Sequence, residues 1–222
     1  ASSVIYVNLE PCSHYGKTPP CADLIISKGI PAVVAGTADT SPKVAGRGIA
    51  KLREAGCDVK VGIAEEECRW INRRFFTFQE KKRPYIILKW AQSSDGFIDV
   101  NRSSYRGCGP VWITGSAEKI LVHRWRASEQ AVLVGAATVR TDDPLLNVRE
   151  WYGNNPVRLI LSGSGSLPEK PAMSKVIGSQ VIFTFYPEKV NQPGSVVVKL
   201  NNRESSASQI VEYLYQWGIQ SL

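Results

Sequence analysis

Short apolar runs that alternate with helix-like segments constrain the fold of this chain more than any other feature. In the first eighty residues, strands are predicted at residues 4–9, 32–35 and 59–63, and helices at residues 21–28 and 48–56, each helix ended by a glycine. A longer helix is predicted from residue 65 to about residue 78, with Cys68, Ile71 and Phe75 at helical spacing as core residues. This order indicates an α/β layer whose parallel strands are joined by helical crossovers.

A polar segment divides the chain into two parts. Lys81, Lys82 and Arg83 precede Pro84, which disfavours helix in the residue before it, so we predict domains at residues 1–79 and 80–222. The second part begins with an apolar run at residues 85–91. Further strands are predicted at residues 131–134, 157–161, 181–185 and 196–200, helices at residues 116–126 and 207–217, and the start of a strand at residues 218–222.

Composition bounds the class of protein. The chain has 222 residues, with 43% hydrophobic and 21% charged residues, as in ordinary globular proteins. No apolar run approaches the roughly 18 residues of a membrane span. The five cysteines are irregularly spaced, which fits a reducing cytoplasm better than a disulfide framework. The net charge of +7 allows either nucleic acid or an anionic small molecule as a partner.

Two cysteines flank a Gly- and Pro-rich loop in residues 10–21, a run that begins Glu-Pro-Cys and ends Pro-Pro-Cys. Cys12 precedes the loop, and Cys21 opens a predicted helix whose N-terminus would favour its thiolate. Two such thiolates can bind one tetrahedral zinc ion. The alternative is a pair of buried, unliganded cysteines beside a turn. His14 stands two residues after Cys12 and is poorly placed to reach the same ion.

This run resembles the zinc loop of the cytidine-deaminase-like superfamily, in particular that of the bifunctional deaminase-reductases of riboflavin biosynthesis. The long spacer, with its Ser-His and Thr-Pro-Pro elements, is similar to that branch rather than to the nucleoside or tRNA deaminases. The resemblance implies a histidine as third zinc ligand and a glutamate that shuttles protons, in a His-x-Glu pair upstream of Ala1. The catalytic residue of the deaminase is therefore expected outside this sequence.

Residues 39–48 resemble another segment of the same family, which ends Ala-Gly-Arg-Gly before a helix. Backbone amides at this helix start, with Arg47 nearby, are candidates to receive a phosphate. The alternative is a turn in which the glycines serve geometry only.

The second part resembles the dihydrofolate-reductase-like fold of the riboflavin reductases. Residues 85–91 match its opening strand, and residues 138–146 read Thr-x-x-x-Asp-Asp-Pro-x-Leu, close to the family pattern. No Gly-x-Gly-x-x-Gly occurs, so a Rossmann mode of cofactor binding is not indicated. The resemblance implies instead that dispersed loops and helix starts hold NADPH.

By this resemblance, two sets of residues form the reductase site. The nicotinamide cofactor would contact Ala91, Trp112, Thr138, Asp142 and Ser162. The substrate would contact Lys89, Pro110, Arg126, Leu146 and Arg149. Planar guanidinium forks suit a ribosyl phosphate, so Arg126 and Arg149 are the phosphate candidates, and the alternative is ordinary solvation of both at the surface. Lys89 would bind the sugar or polarise the reacting carbon, unless its ammonium simply extends into solvent. Asn147 and Pro110 replace a threonine and a serine of the family pattern.

We therefore expect a cytidine-deaminase-like α/β/α domain followed by a dihydrofolate-reductase-like α/β domain, in a cytoplasmic homo-oligomer. The expected reactions are zinc-dependent hydrolytic deamination of a diaminopyrimidinone ribosyl phosphate and NADPH-dependent reduction of its ribosyl group to ribityl. Neither nucleic acid nor membrane is an expected partner. The first helices of the deaminase and a Glu-Gly-Gly loop of the reductase are not in the sequence, so the chain resembles a middle portion of a longer protein. Two alternatives remain open: a reductase beside a degenerate, metal-free deaminase domain, and a zinc-structured nucleic-acid-binding module.

Overall fold

The computed structural model describes residues 3–42, 44–104 and 109–222. The chain forms two compact units, Ala1–Arg83 and Pro84–Leu222. The last helix of the first unit, α4 (Arg73–Lys81), ends where Lys82 takes a left-handed conformation with φ of 50°. Pro84 disfavours a helical conformation at Arg83, the residue before it, so the helix does not continue into the second unit. The division between the units falls between Arg83 and Pro84.

The first unit contains a three-stranded parallel sheet whose strands follow chain order. The strands are β1 (Val4–Val7), β2 (Ala32–Ala35) and β3 (Asp58–Val61), and the crossover helices are α1 (Cys21–Ser27) and α2 (Arg47–Glu54). Both helices contribute to one apolar core with the sheet, formed by Ala22, Ile25, Val33, Ile49, Leu52 and Val59. Burial of each large aliphatic side chain there stabilises the unit by about 1.5–3 kcal/mol.

The helix predicted over residues 65–78 is two helices. α3 (Glu65–Ile71) ends at Asn72, whose side-chain amide donates to the carbonyl of Cys68 at 2.8 Å, and α4 begins directly afterwards. The break shifts the apolar face, so Phe76 is only 4% exposed whereas Ile71 is 61% exposed. The prediction of Ile71 as a core residue is therefore wrong. Cys68 and Phe75 are half-buried.

The second unit contains a four-stranded parallel sheet, again in chain order. Its strands are β4 (Ala131–Gly135), β5 (Val157–Ser162), β6 (Gln180–Thr184) and β7 (Val196–Lys199). Its helices are α5 (Ser116–Ser128), α6 (Ala136–Asp142) and α7 (Ser206–Gln216), with short 3-10 turns at Ala172–Lys175 and Pro187–Lys189. The prediction of an α/β fold with parallel sheets is confirmed in both units.

Successive residues of β5 and β6 point to opposite faces of this sheet, and each face has its own core. Leu159, Val181 and Phe183 pack with Ile210 and Leu214 of α7. Ile160 and Ile182 pack on the other face with Val139 of α6, together with Leu146 and Met173. Because helices cover both faces, the strands read as nearly continuous apolar runs in the sequence.

Only the beginning of the apolar run at residues 85–91 pairs with another strand. The amides of Tyr85 and Ile87 donate to the carbonyls of Gln220 and Leu222, both at 2.8 Å. On its opposite edge, the segment of residues 220–222 pairs with β4, since the amide of Ala131 donates to the Ser221 carbonyl at 3.2 Å. Residues 220–222 therefore lie between Tyr85 and β4. The paired segment is therefore shorter than the predicted strand, since Tyr85 and Ile87 form these hydrogen bonds and residues 88–91 belong to no strand.

Two further findings concern membrane spans and the state of the cysteines. Among the residues that the structure describes, the helices are too short or too polar to span a bilayer. Cys12, Cys21, Cys57 and Cys68 are free thiols, and Cys108 lies outside the described residues.

Candidate active site

Cys12 and Cys21 lie next to each other where α1 begins. The amide of Cys21 donates to Cys12 Sγ at 3.3 Å, and the amide of Ala22 donates to the Cys12 carbonyl at 3.1 Å. The hydrogen bond with the Cys12 thiol, and then burial, raise the pKa of Cys21 in the metal-free pair. The pair fits two positions of a tetrahedral site. Within residues 3–42, 44–104 and 109–222, however, no group of three His, Cys, Asp or Glu side chains could hold a metal ion.

A carboxylate occupies the place where a phosphate was predicted. Glu10 is buried, and its side chain accepts four backbone amides of the following loop and of the first turn of α2: those of Asp39, Gly46, Gly48 and Ile49, at 3.1, 3.0, 2.8 and 3.2 Å. The Arg47 guanidinium donates to the carbonyls of Pro42 and Val44. These donors are already satisfied within the unit, so the prediction of a phosphate site at this helix start is wrong. Lys43 of this loop lies outside the described residues.

Gly48 permits this arrangement. A Cβ at Gly48 would lie 1.8 Å from the Pro11 carbonyl oxygen and 3.2 Å from Glu10 Oε1. The second glycine of Ala-Gly-Arg-Gly therefore serves a close backbone approach, and any side chain there would push α2 away from the Glu-Pro-Cys run. Glu10 and Gly48 together join the segment that carries Cys12 to the start of α2.

A cavity of about 430 Å³ opens in the second unit beside α5 and α6. Its lining includes all the predicted cofactor and substrate residues except Ser162, namely Lys89, Ala91, Pro110, Trp112, Arg126, Thr138, Asp142, Leu146 and Arg149. α6 begins directly after β4, at the carboxyl edge of the sheet, which is where parallel α/β sheets present ligand sites. The fold thus brings together residues that are far apart in sequence.

One part of the cavity suits a nicotinamide nucleotide. The Trp112 ring is 58% exposed, and Lys119 Nζ lies 3.7 Å from its centroid. Thr138 and Asp142 are half-buried on α6, and Arg102 Nη2 lies 3.7 Å from Asp142 Oδ1. An aromatic face beside a hydroxyl and a carboxylate can contact a planar ring and the hydroxyls of a ribose, so the residues present fit this cofactor.

Arg126 and Arg149 are anchored by the same residue. Arg126 Nη1 donates to the backbone carbonyl of Asn147 at 2.6 Å, and Arg149 Nη1 donates to Asn147 Oδ1 at 3.2 Å. Burial, and then the charge of Arg149, lower the pKa of Arg126, while Glu150 opposes that shift. Glu150 Oε1 is 3.7 Å from Arg149 Nε. An anion bound between the two guanidiniums would relieve their repulsion and accept bidentate hydrogen bonds.

The turn that carries Asn147 has a strained backbone. Asp143 and Leu146 have φ values of 42° and 54°, in the left-handed region that residues with side chains rarely adopt. Such conformations cost on the order of 1–3 kcal/mol each and persist only where the surroundings enforce them. Here Leu146 is 6% exposed, and Asp143 Oδ1 accepts the amide of Ala172 at 2.7 Å. Strain of this kind is frequent where a backbone is shaped for a ligand.

His123 forms part of the cavity wall, although the sequence did not single it out. It is 3% exposed, its Nδ1 accepts the amide of Arg149 at 3.3 Å, and its Nε2 lies 3.9 Å from Glu150 Oε1. Burial, and then the charges of Arg126 and Arg149, lower the pKa of His123, whereas Glu150 raises it. The imidazole is therefore neutral near pH 7, and the accepted hydrogen bond assigns its proton to Nε2.

Lys119 and His123 could have been found from helical periodicity. Lys119, Val122, His123 and Arg126 all line the cavity and stand at positions i, i+3, i+4 and i+7 of α5, which form one helix face. Ser162, in contrast, lies fully buried at the carboxyl end of β5, and its Oγ donates to the Ser166 carbonyl at 3.3 Å. His14 is exposed in the loop between the two cysteines.

Parallel α/β sheets with a cavity of this kind at the carboxyl edge define a class of proteins that bind small molecules. Comparison with known protein families identifies one family within this class: residues 84–222 match the sequence pattern of the RibD C-terminal domain. The chain belongs to the RibD C-terminal domain family.

Similar proteins match both units of the chain. The riboflavin biosynthesis protein RibD of Aquifex aeolicus is 40% identical over 221 residues, covering 99% of this chain and 55% of that protein. RibD of Escherichia coli is 42% identical over 189 residues, covering 85% and 49%. A diaminohydroxyphosphoribosylaminopyrimidine deaminase/5-amino-6-(5-phosphoribosylamino)uracil reductase from Thermotoga maritima is similar in structure, with a TM-score of 0.84, 40% identity and coverage of 96% and 58%. RibD of Acinetobacter baumannii has a TM-score of 0.82 at 31% identity, covering 99% and 61%. The chain thus spans roughly half the length of these curated relatives.

Proposed function

We propose that this chain is part of a riboflavin-biosynthesis enzyme whose second unit uses NADPH to reduce the ribosyl group of a pyrimidine ribosyl phosphate to ribityl. The observation that carries the proposal is the guanidinium pair of Arg126 and Arg149, anchored on Asn147 in a cavity that also contains the exposed face of Trp112. Family membership favours a reductase over a zinc-structured nucleic-acid-binding module. The chemistry of the substrate is taken from the Thermotoga maritima relative, a diaminohydroxyphosphoribosylaminopyrimidine deaminase/5-amino-6-(5-phosphoribosylamino)uracil reductase.

In this proposal, the cavity residues divide by ligand. Arg126 and Arg149 bind the phosphate, Lys89 hydrogen-bonds the sugar or polarises its reacting carbon, and Pro110 and Leu146 contact the remainder of the substrate. Trp112, Thr138, Asp142 and Ala91 contact the nicotinamide end of the cofactor. Ser162, which is buried outside this cavity, remains a predicted contact to another part of it. When bound, NADPH supplies the hydride. The apolar walls restrict water around the reacting carbon, which strengthens the electrostatic interactions there.

We extend the proposal to a zinc-dependent deaminase that includes the first unit. Cys12 and Cys21 would be two ligands of the ion, and a His-x-Glu pair N-terminal to Ala1 would supply the third ligand and the proton-shuttling glutamate. Zinc, when bound, would polarise water for the displacement of ammonia. The four hydrogen bonds to Glu10 would hold the Cys12 segment in place. We also propose that the enzyme is a homo-oligomer. A degenerate, metal-free first unit is the competing interpretation, and zinc analysis separates the two.

Substitution of Arg149 by alanine tests the phosphate site. A charged hydrogen bond is typically worth about 1.5–3 kcal/mol, so Arg149→Ala should weaken binding of ribose 5-phosphate by about ten- to a hundredfold in titration calorimetry. Binding of ribose and of NADPH should change little. Arg140→Ala is the matched control, because Arg140 is an exposed arginine of α6 that donates to the Ser166 carbonyl. Equal losses for ribose 5-phosphate and NADPH would contradict this assignment.

A further inference from the structure

We infer that His123 is a positioning residue for the substrate phosphate, because as a neutral acceptor it fixes the backbone from which Arg149 projects. This inference rests on the proposed role of Arg149 as a phosphate ligand. His123 was not among the predicted site residues. Its contribution would be indirect, through the geometry of Arg149.

The geometry links the two arginines through one helix. His123 and Arg126 are three residues apart on α5 and therefore share a helix face. Arg149 follows the strained turn at Leu146 and has no regular secondary structure of its own. The hydrogen bond from its amide to His123 Nδ1, at 3.3 Å, connects this loop to the rigid helix that carries Arg126. The spacing of the two guanidiniums is thus set by α5 and by Asn147 together.

This role requires a neutral imidazole. The charged groups that shift the pKa of His123 are Arg126, Arg149 and Glu150, two cations and one anion, and Lys119 lies one helical turn away on the same face of α5. A protonated His123 would place a second N–H against the Arg149 amide and would add a third cation to a repulsive pair. Glu150 Oε1 is 3.9 Å from Nε2, beyond hydrogen-bond range, and its side chain is partly exposed, so it offsets only part of this cost.

Simple packing is the competing explanation for a buried histidine, and three variants separate the two. In His123→Asn, the side-chain oxygen can occupy the place of Nδ1 and keep the acceptor. His123→Gln places its amide near Nε2 instead, and His123→Leu fills similar volume without any acceptor. A packing role predicts that leucine, which fills a similar volume, preserves binding best, whereas a positioning role predicts that only asparagine restores function.

The experiment combines ligand binding with hydrogen exchange. In titration calorimetry, His123→Leu and His123→Gln should bind ribose 5-phosphate about tenfold more weakly than the wild type, and His123→Asn should stay within about threefold. NADPH affinity should be unchanged in all three. In the chain without ligand, the Arg149 amide should exchange about tenfold faster in the leucine and glutamine variants, and near the wild-type rate in the asparagine variant.

Two results would overturn the inference: equal weakening in the leucine and asparagine variants, or an Arg149 amide whose exchange is unchanged in His123→Leu. Failure of the proposed function has a different signature. In that case the wild type would not prefer ribose 5-phosphate to ribose, and Arg149→Ala would have no effect on either. His123 would then have no role in phosphate binding. The exchange rate of the Arg149 amide would still show whether His123 holds the Arg149 backbone in place.

Discussion

Glu10, Asn147 and His123 each organise a loop by accepting hydrogen bonds from residues distant in sequence. The Glu10 carboxylate accepts a hydrogen bond from the backbone amide of Gly48, which lies 38 residues further along the chain. Asn147 accepts hydrogen bonds from the guanidinium groups of Arg126 and Arg149. Residue type alone indicates that these side chains can accept hydrogen bonds, but their donors are set only by the tertiary fold. For this reason the sequence predicted Arg126 and Arg149, which match a family pattern, and missed the residues that hold them.

The pH dependence of stability should report on His123. Burial and the neighbouring arginines lower its pKa in the folded chain, whereas an unfolded histidine titrates near 6.5. Below that pH the unfolded chain binds a proton that the folded chain does not, so the free energy of unfolding should fall between about pH 7 and pH 5.5. In urea titrations, His123→Asn should show a smaller fall over this range.

The second histidine provides the control for this experiment. His14 is exposed, so His14→Asn should retain the pH dependence of the wild type. Identical pH profiles for His123→Asn and the wild type would contradict the conclusion that the folded state keeps His123 neutral.

At the scale of elements, the parallel sheets were predictable and some element boundaries were not. Strand β2 spans the predicted residues 32–35, because an apolar run between two glycine-terminated helices leaves few alternatives. The helix break at Asn72 was missed because apolar periodicity does not register the side-chain hydrogen bond from Asn72 to the Cys68 carbonyl that accompanies the break. The strand from Tyr85 was predicted too long because its length depends on a partner segment far along the chain.

The start of α2 offers a sharp test of element packing. In Gly48→Ala, the added Cβ would collide with the Pro11 carbonyl and disturb the hydrogen bonds to Glu10. We expect a loss of about 3 kcal/mol in the free energy of unfolding of the first unit, at the upper end of overpacking costs. Gly16→Ala is the control, since a Cβ at Gly16 meets nothing within 4 Å, and its effect should stay within about 0.5 kcal/mol. Similar small effects of both substitutions would contradict the close approach at Gly48.

At the scale of the whole molecule, the two units have separate cores and separate candidate sites. The cysteine pair lies in the first unit and the arginine-bearing cavity in the second. If the two proposed activities follow this division, a change that removes zinc should leave the binding of ribose 5-phosphate and NADPH intact.

Metal analysis of the full-length protein tests this separation. We expect about one zinc ion per chain, lost in Cys12→Ala together with ammonia release, while ribose 5-phosphate and NADPH still bind. Cys57→Ala is the matched control, because Cys57 is also a free cysteine of the first unit but lies away from the pair, against the Ile30 carbonyl. Zinc retained in Cys12→Ala, or an upstream sequence without a His-x-Glu pair, would contradict the deaminase part of the proposal.

The pairing of Tyr85 with Ser221 also bears on how the second unit is made. On a ribosome, Tyr85 emerges first, yet its hydrogen-bond partners and the edge partner of β4 emerge only with residues 220–222. At roughly 5–20 residues per second, that interval is on the order of ten seconds. Throughout it, the amides of Tyr85 and Ile87 and the edge of β4 at Ala131 lack their native hydrogen-bond partners, a state prone to aggregation. Nascent chains of this protein should therefore depend on holding chaperones until translation passes Ser221.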